Sequence, residues 1–333
     1  MRALQVKKYG EKNLPVIAEI ATPTCGPDEL LIKVHAAGLN PLDIKTRDGE
    51  FKVFLPYKVP FTLGNDFAGT VTAIGENVSN FAIDDQVFGM ANSKQIGTFA
   101  EYVVVNKDVV AKKPSNISFT EASVLPLVSL TAWQIFQDAA LQPDQKVLIH
   151  GGSGGLGATA IQVAKALNLT VATTCSARNV DFVKSLGADE VVDYNSANFE
   201  DILNGFDLVI DTVGGKNLSK SMKVLKTGGL LVSLVGPPDV AFARKAGAPL
   251  PIQWVMKVLS FGVLRTAKKL GVLYAFHFVR SSGAQLTEIA ALIHSGKIKP
   301  YIAQTVSFDK SPELFNRQSA LSKVAGKTSI AIS

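Results

Sequence analysis

KVLIHGGSGGLG, residues 146–157, decides how this chain folds. Val147, Leu148 and Ile149 form a short apolar, partly β-branched run. Gly152, Gly154 and Gly157 follow in the spacing G-x-G-x-x-G, and a long helical pattern begins after them. Strand, glycines and helix in that order are the context of a dinucleotide loop. Glycine at the turn lets the chain reverse tightly, its neighbour lets the backbone approach a pyrophosphate, and Gly157 lets the helix pack close to the strand. The helix N-terminus offers free N–H groups and a positive dipole end to the phosphates. Three glycines alone could mark a tight structural turn; the flanking strand and helix favour a cofactor.

The next strand decides which cofactor. A helix over 158–167 leads into an extended run over 169–174, and the chain then reads Cys175, Ser176, Ala177, Arg178, Asn179. An NAD site places an acid here to accept from the ribose 2′-hydroxyl, whereas an NADP site needs a partner for the 2′-phosphate. No acid is present, and Ser176 with Arg178 supplies a hydroxyl and a cation. The planar guanidinium matches phosphate oxygens and stays charged. The competing reading is a solvated Arg beside the next helix; NADP(H) is the expected cofactor.

Strand and helix patterns alternate beyond this point. Extended runs at 147–149, 170–174, 191–192, 208–211 and 230–235 are separated by helical patterns near 158–167, 179–186, 199–204 and 216–225. Such alternation predicts a doubly wound parallel sheet with ligands at the carboxyl ends of its strands. Before it, short runs at 1–6, 30–37, 68–74, 86–90 and 100–105 are bounded by Gly, Pro, Asn or Asp and predict a compact β-rich barrel. Residues 114–118 read as a linker, and a single helix is predicted from Thr120. A helix near 285–294 and strands at 306–308 and 328–332 are expected to rejoin the first domain.

Composition narrows the class. Of 333 residues 47% are hydrophobic and 19% charged, which fits an ordered chain of two domains. The 34 Lys and Arg read as scattered, so the net charge of +6 is taken as attraction for phosphate-bearing small molecules before nucleic acid. Cys25 and Cys175 form no disulfide framework and suit a reducing compartment, the cytoplasm. No secretory signal pattern opens the sequence. The apolar run 252–264 is too short to span a membrane and contains Lys257. Trp254, Val255, Val258, Leu259, Gly262 and Val263 share one helical face, read as packing on its own core or a partner subunit. Contact with a membrane surface is the lesser reading.

Taken together, GLNPLDIK (38–45), GNDFAGTV (64–71), LPLVSLTAW (125–133), the glycine loop, SLGADEVVDY (185–194) and AGKTSIAI (325–332) resemble the zinc-free quinone oxidoreductase branch of the medium-chain dehydrogenase/reductases. The resemblance runs over essentially the whole chain. It implies a GroES-like β-rich barrel domain (1–122 and 281–333) around an inserted Rossmann domain (123–280), with the active site between them, and commonly a homodimer.

Residue by residue, the resemblance places Asn40 where zinc-dependent relatives have a metal-binding Cys, and Asn65 and Asp66 where they have His and Glu. His35, His150, His277 and His294 with two distant cysteines do not make a zinc set, so no metal is expected. Lys45, Thr131, Gly155, Leu156, Ser176, Arg178, Tyr194, Val235, Phe276 and Phe278 match cofactor contacts. Asn40, Lys45 and Ser129 are the polar candidates on the substrate side, and none is assigned as general acid. Residues 51–57 and 240–274 are expected to choose the acceptor. The implied activity is NADPH-dependent reduction of quinones or of the double bond of α,β-unsaturated carbonyls. A short-chain dehydrogenase is disfavoured, because no Tyr precedes a Lys by four residues. The alternative of another class is an NADPH-retaining binding protein, crystallin-like or RNA-binding, without significant turnover.

Overall fold

The structure is a computed structural model that describes residues 1–52, 55–316 and 325–332. Residues 53 and 54 of the expected acceptor segment 51–57 lie outside the described residues. The chain forms two compact units, Met1–Leu130 with Arg280–Ser333, and Thr131–Val279. The first division thus falls after Leu130, not after 122, because residues 123–130 are fastened to the first unit. Ser123 Oγ lies 2.9 Å from Ser329 Oγ, and the Leu127 N–H donates to Asp66 Oδ1 at 2.8 Å.

In the second unit six strands form one sheet in the order Glu190–Asp193, Thr170–Cys175, Lys146–His150, Phe206–Asp211, Leu225–Ser233, Leu273–Phe276. Every neighbouring pair is parallel. Val147, Leu148, Ile149, Leu208, Val209, Ile210 and Leu231 are fully buried, as continuous apolar strands covered on both faces must be. The order reverses at Lys146–His150, which makes its carboxyl end the topological switch point where such sheets bind ligands. The sixth strand, Leu273–Phe276, is absent from the sequence reading. It is only four residues long and follows directly on the helix Leu250–Leu270.

The first unit holds a three-stranded antiparallel sheet, Val16–Glu19, Arg2–Val6 and Phe61–Thr62, and a seven-stranded sheet. At the centre of the larger one, Glu29–Gly38 pairs antiparallel with Asp66–Ile74, Tyr102–Asn106 and Lys327–Ala331. The last pairing carries residues from the end of the chain to the start of the helix Pro41–Asp48. Leu30, Ile32, Phe67, Val87, Phe99 and Phe315 fill the core. The single helix expected from Thr120 is two, Phe119–Ser123 and Pro126–Ala139. Pro126 has no N–H to continue a helix and instead starts a new one.

Candidate active site

The glycine loop owes its shape to close backbone contacts. A Cβ on Gly152 would overlap the Thr173 side chain. One on Gly157 would overlap the Gly151 carbonyl and stand 2.7 Å from Gly152 Cα. These two glycines let strand and helix close on each other. Gly154 differs: a Cβ there would meet only the Gly151 carbonyl, at 3.3 Å, and its φ of −75° suits any residue. Packing within the protein constrains this position less than it does Gly152 and Gly157. Gly154 is also the N-cap of the helix Gly155–Ala166, and no side chain caps it. Its first N–H groups, on Gly155, Leu156 and Gly157, have no partner within the helix, an arrangement that can take an anion.

Beyond the second strand, Ser176 is half-buried and Arg178 is exposed, with no ion pair among the described residues. The Asn179 amide donates to Ser153 Oγ at 2.9 Å and to Ser176 Oγ at 3.3 Å, joining the glycine loop to the end of this strand. Sequence reading passed over Asn179; an amide between two serines leaves no pattern to find. Tyr194 follows the third strand with 59% of its surface exposed. A glycine loop, a hydroxyl, a cation and an open aromatic ring thus follow the carboxyl ends of three adjacent strands. The residues present fit a dinucleotide.

At the ends of the fourth and fifth strands, buried Asp211 holds two loops at once. Its Oδ1 accepts from the N–H groups of Val213 and Gly214, and its Oδ2 from Ser233 Oγ at 2.7 Å. Ser233 Oγ in turn accepts from the Gly236 N–H at 2.8 Å. Half-exposed Val235 is held between them. Phe276 and Phe278 both pack against Phe242, with ring centroids 5.0 and 6.3 Å away. Thr131 is buried in the helix Pro126–Ala139.

The first unit gathers Asn40, Asp43, Asn65, Asp66 and Lys327 into a buried cluster. Lys327 Nζ donates to Asn40 Oδ1 at 2.8 Å and to Asp66 Oδ2 at 2.9 Å, and the Asn40 amide donates to Asp66 Oδ2 at 3.0 Å and to the Gly38 carbonyl. Asp43 accepts from the Asn40 N–H at 2.7 Å and from the Asn65 amide at 2.6 Å. Burial raises the Asp43 carboxyl to about 7. It also raises Asp66, against the pull of the Lys327 ammonium. Among the described residues no three His, Cys, Asp or Glu side chains gather as a metal site.

Of the three polar substrate-side candidates, Asn40 has both amide hydrogens and its oxygen engaged inside this cluster. Ser129 is buried, and its hydroxyl donates to the Pro126 carbonyl at 3.3 Å. Lys45 is partly exposed and paired with Glu50 at 3.2 Å. Sequence reading missed Lys327, since a lysine at the end of a chain is ordinarily placed on the surface.

Residues 26–115 match the alcohol dehydrogenase GroES-like domain, and residues 186–328 match the zinc-binding dehydrogenase family. The chain is 37% identical to the mitochondrial NAD(P)H oxidoreductase RTN4IP1 of Bos taurus over 95% of its length and 85% of that protein. It is 34% identical to the 2-methylene-furan-3-one reductase of Solanum lycopersicum over 95% of its length and 75% of that enzyme. The quinone oxidoreductase of Coxiella burnetii superposes with a TM-score of 0.84 at 31% identity, over all of this chain and 99% of the other. This chain is an oxidoreductase that uses a nicotinamide cofactor, and it belongs to the zinc-independent quinone oxidoreductase branch of the medium-chain dehydrogenase/reductases.

Proposed function

We propose that this enzyme takes NADPH in preference to NADH and reduces quinones or the double bond of α,β-unsaturated carbonyls. The observation that carries the cofactor choice is the end of the second strand, where Ser176 and exposed Arg178 stand in place of an acid. The N–H groups that follow Gly154 hold the pyrophosphate, Ser176 and Arg178 the 2′-phosphate, and Tyr194 the adenosine. Thr131, Val235, Phe276 and Phe278 edge the nicotinamide.

The reduced nicotinamide supplies hydride when bound; the chain's own residues align the reactants and exclude water. Charge develops on the acceptor oxygen as an enone is reduced, and a nearby donor lowers the barrier. We assign that position to Lys45, the one of the three substrate-side candidates whose side chain is partly exposed. Asn40 and Ser129 then hold the surrounding scaffold. Water delivers the proton. The likeness to a quinone oxidoreductase and to a 2-methylene-furan-3-one reductase supports both acceptor classes. No observation favours a binding role without turnover.

Free Cys25 and Cys175 support a reducing compartment such as the cytoplasm. The sheet edge at Leu273–Phe276 is the seam we assign to a homodimer. The cofactor assignment is tested by Arg178→Ala. The KM for NADPH is expected to rise about tenfold or more, as loss of a charge-assisted phosphate contact implies, while the KM for NADH barely moves. Equal changes in the two would remove the assignment.

A further inference from the structure

The helix Leu250–Leu270 presents two different faces. Met256, Ser260 and Ala267 are buried against its own unit. On the other side Leu250, Trp254, Val258 and Phe261 follow one another a turn apart, with 78, 68, 56 and 62% of their surfaces exposed. Val255 and Leu259 widen the row and are also exposed. The face expected to pack on its own core or a partner subunit is thus mostly turned away from its own core.

The same row runs on into Arg265 and Lys268, with Lys257 and Lys269 beside it. None of these four cations has an ion pair among the described residues. Residues 240–270 hold Arg244, Lys245, Lys257, Arg265, Lys268 and Lys269, and no Asp or Glu. Taking these six from the 34 Lys and Arg leaves 28 against 28 Asp and Glu, so the whole net charge of +6 lies on this stretch. The basic residues are scattered along the chain, as sequence reading had it, but the acidic ones avoid this segment.

We propose that this face seats the protein on an anionic lipid surface. Exposed Trp, Phe, Leu and Val suit the boundary between headgroups and acyl chains, where Trp is most at home. Lys and Arg on the same arc lay their stems along that boundary and reach anionic phosphates with their charged ends. No helix among the described residues is long and apolar enough to cross a membrane, so this helix lies along the surface. A second copy is a poor occupant. Two-fold pairing sets a face against itself and would bring Lys257, Arg265, Lys268 and Lys269 of one copy against the same four of the other, with no acid on this helix to separate them. The proposal is independent of the reaction assigned above.

The test is sedimentation of the full-length protein with vesicles of phosphatidylcholine, with and without phosphatidylglycerol, together with tryptophan emission. Binding is expected only to the vesicles containing phosphatidylglycerol, with release by salt. A blue shift of emission is expected that Trp254→Phe abolishes, leaving only the signal of Trp133. Lys257→Gln, Arg265→Gln, Lys268→Gln and Lys269→Gln should each weaken partitioning by roughly fivefold. The double variant Trp254→Ser, Phe261→Ser should weaken it at unchanged charge, and none of these surface changes should alter thermal unfolding. Absence of binding to anionic vesicles, or equal binding by the variant lacking all four cations, would overturn the proposal. So would a dimer, seen by light scattering, that Trp254→Ser dissociates.

Discussion

Lys327 Nζ and Asp66 Oδ2 stand 2.9 Å apart with both side chains buried, tying the start of the strand Lys327–Ala331 to the start of Asp66–Ile74 across the strand Glu29–Gly38 that lies between them. Removing one partner of a buried pair leaves an uncompensated charge, which costs more than the pair itself contributes. Lys327→Met is therefore expected to lower the unfolding free energy by about 3–5 kcal/mol. The double variant Lys327→Met, Asp66→Asn should recover part of that loss. Urea unfolding of the three proteins checks it; additive losses would mean that the two groups do not interact.

Asp43 sets a pH dependence of definite sign. Its carboxyl has an ordinary value of 3.8 and is raised to about 7, first by burial and then by the charge of Asp66, while its hydrogen bonds and Lys327 oppose the rise. The folded protein therefore holds a proton that the unfolded chain releases. The stability this contributes is complete below about pH 4, is lost as the pH rises to about 7, and is level above that; its size is on the order of a few kcal/mol. Carbon NMR of the Asp43 carboxyl should show a midpoint near neutrality. A midpoint close to 4 would contradict the burial argument.

How much was legible depended on how local the signal was. Five of the six parallel strands were readable because each is a short apolar run beside a helical pattern. The strand Leu273–Phe276 was not, since four residues after a 21-residue helix leave little periodicity to read. The glycine loop, Ser176 and Arg178 lie within one strand, helix, strand unit, so spacing alone brought them together. The Asn40 to Lys327 contact spans 287 positions, and nothing local marks it. The outward face of the helix Leu250–Leu270 was legible as an apolar row, but periodicity alone does not say which way such a row points.

Gly154 and Gly157 should separate binding from folding. Gly157→Ala forces a methyl group into the Gly151 backbone. It is expected to destabilise the protein by about 1–3 kcal/mol or more, as overpacking does. Gly154→Ala meets one oxygen at 3.3 Å, a milder contact than the overlap at Gly157, so the melting temperature should fall less than for Gly157→Ala while NADPH affinity falls. Calorimetric titration and thermal unfolding of the two variants provide the check. A stability loss at Gly154 equal to that at Gly157 would return both to a purely structural role.

Asp211 accepts three hydrogen bonds in the interior. Asp211→Ala leaves two backbone N–H groups and the Ser233 hydroxyl without that acceptor, at about 1–3 kcal/mol for each buried group left unpaired. The loops after the fourth and fifth strands should loosen together, seen as faster amide exchange at Val213, Gly214 and Gly236. Exchange confined to one loop would show that the carboxylate does not tie them.

Hydride transfer from the nicotinamide to the acceptor is tested most directly with NADPH carrying two deuterium atoms at C4, an α,β-unsaturated ketone, and mass spectrometry of the product. A saturated ketone with one deuterium on the β-carbon is expected, together with oxidation of NADPH by quinones. Deuterium on the carbonyl carbon, or no turnover with any quinone or enone, would contradict it.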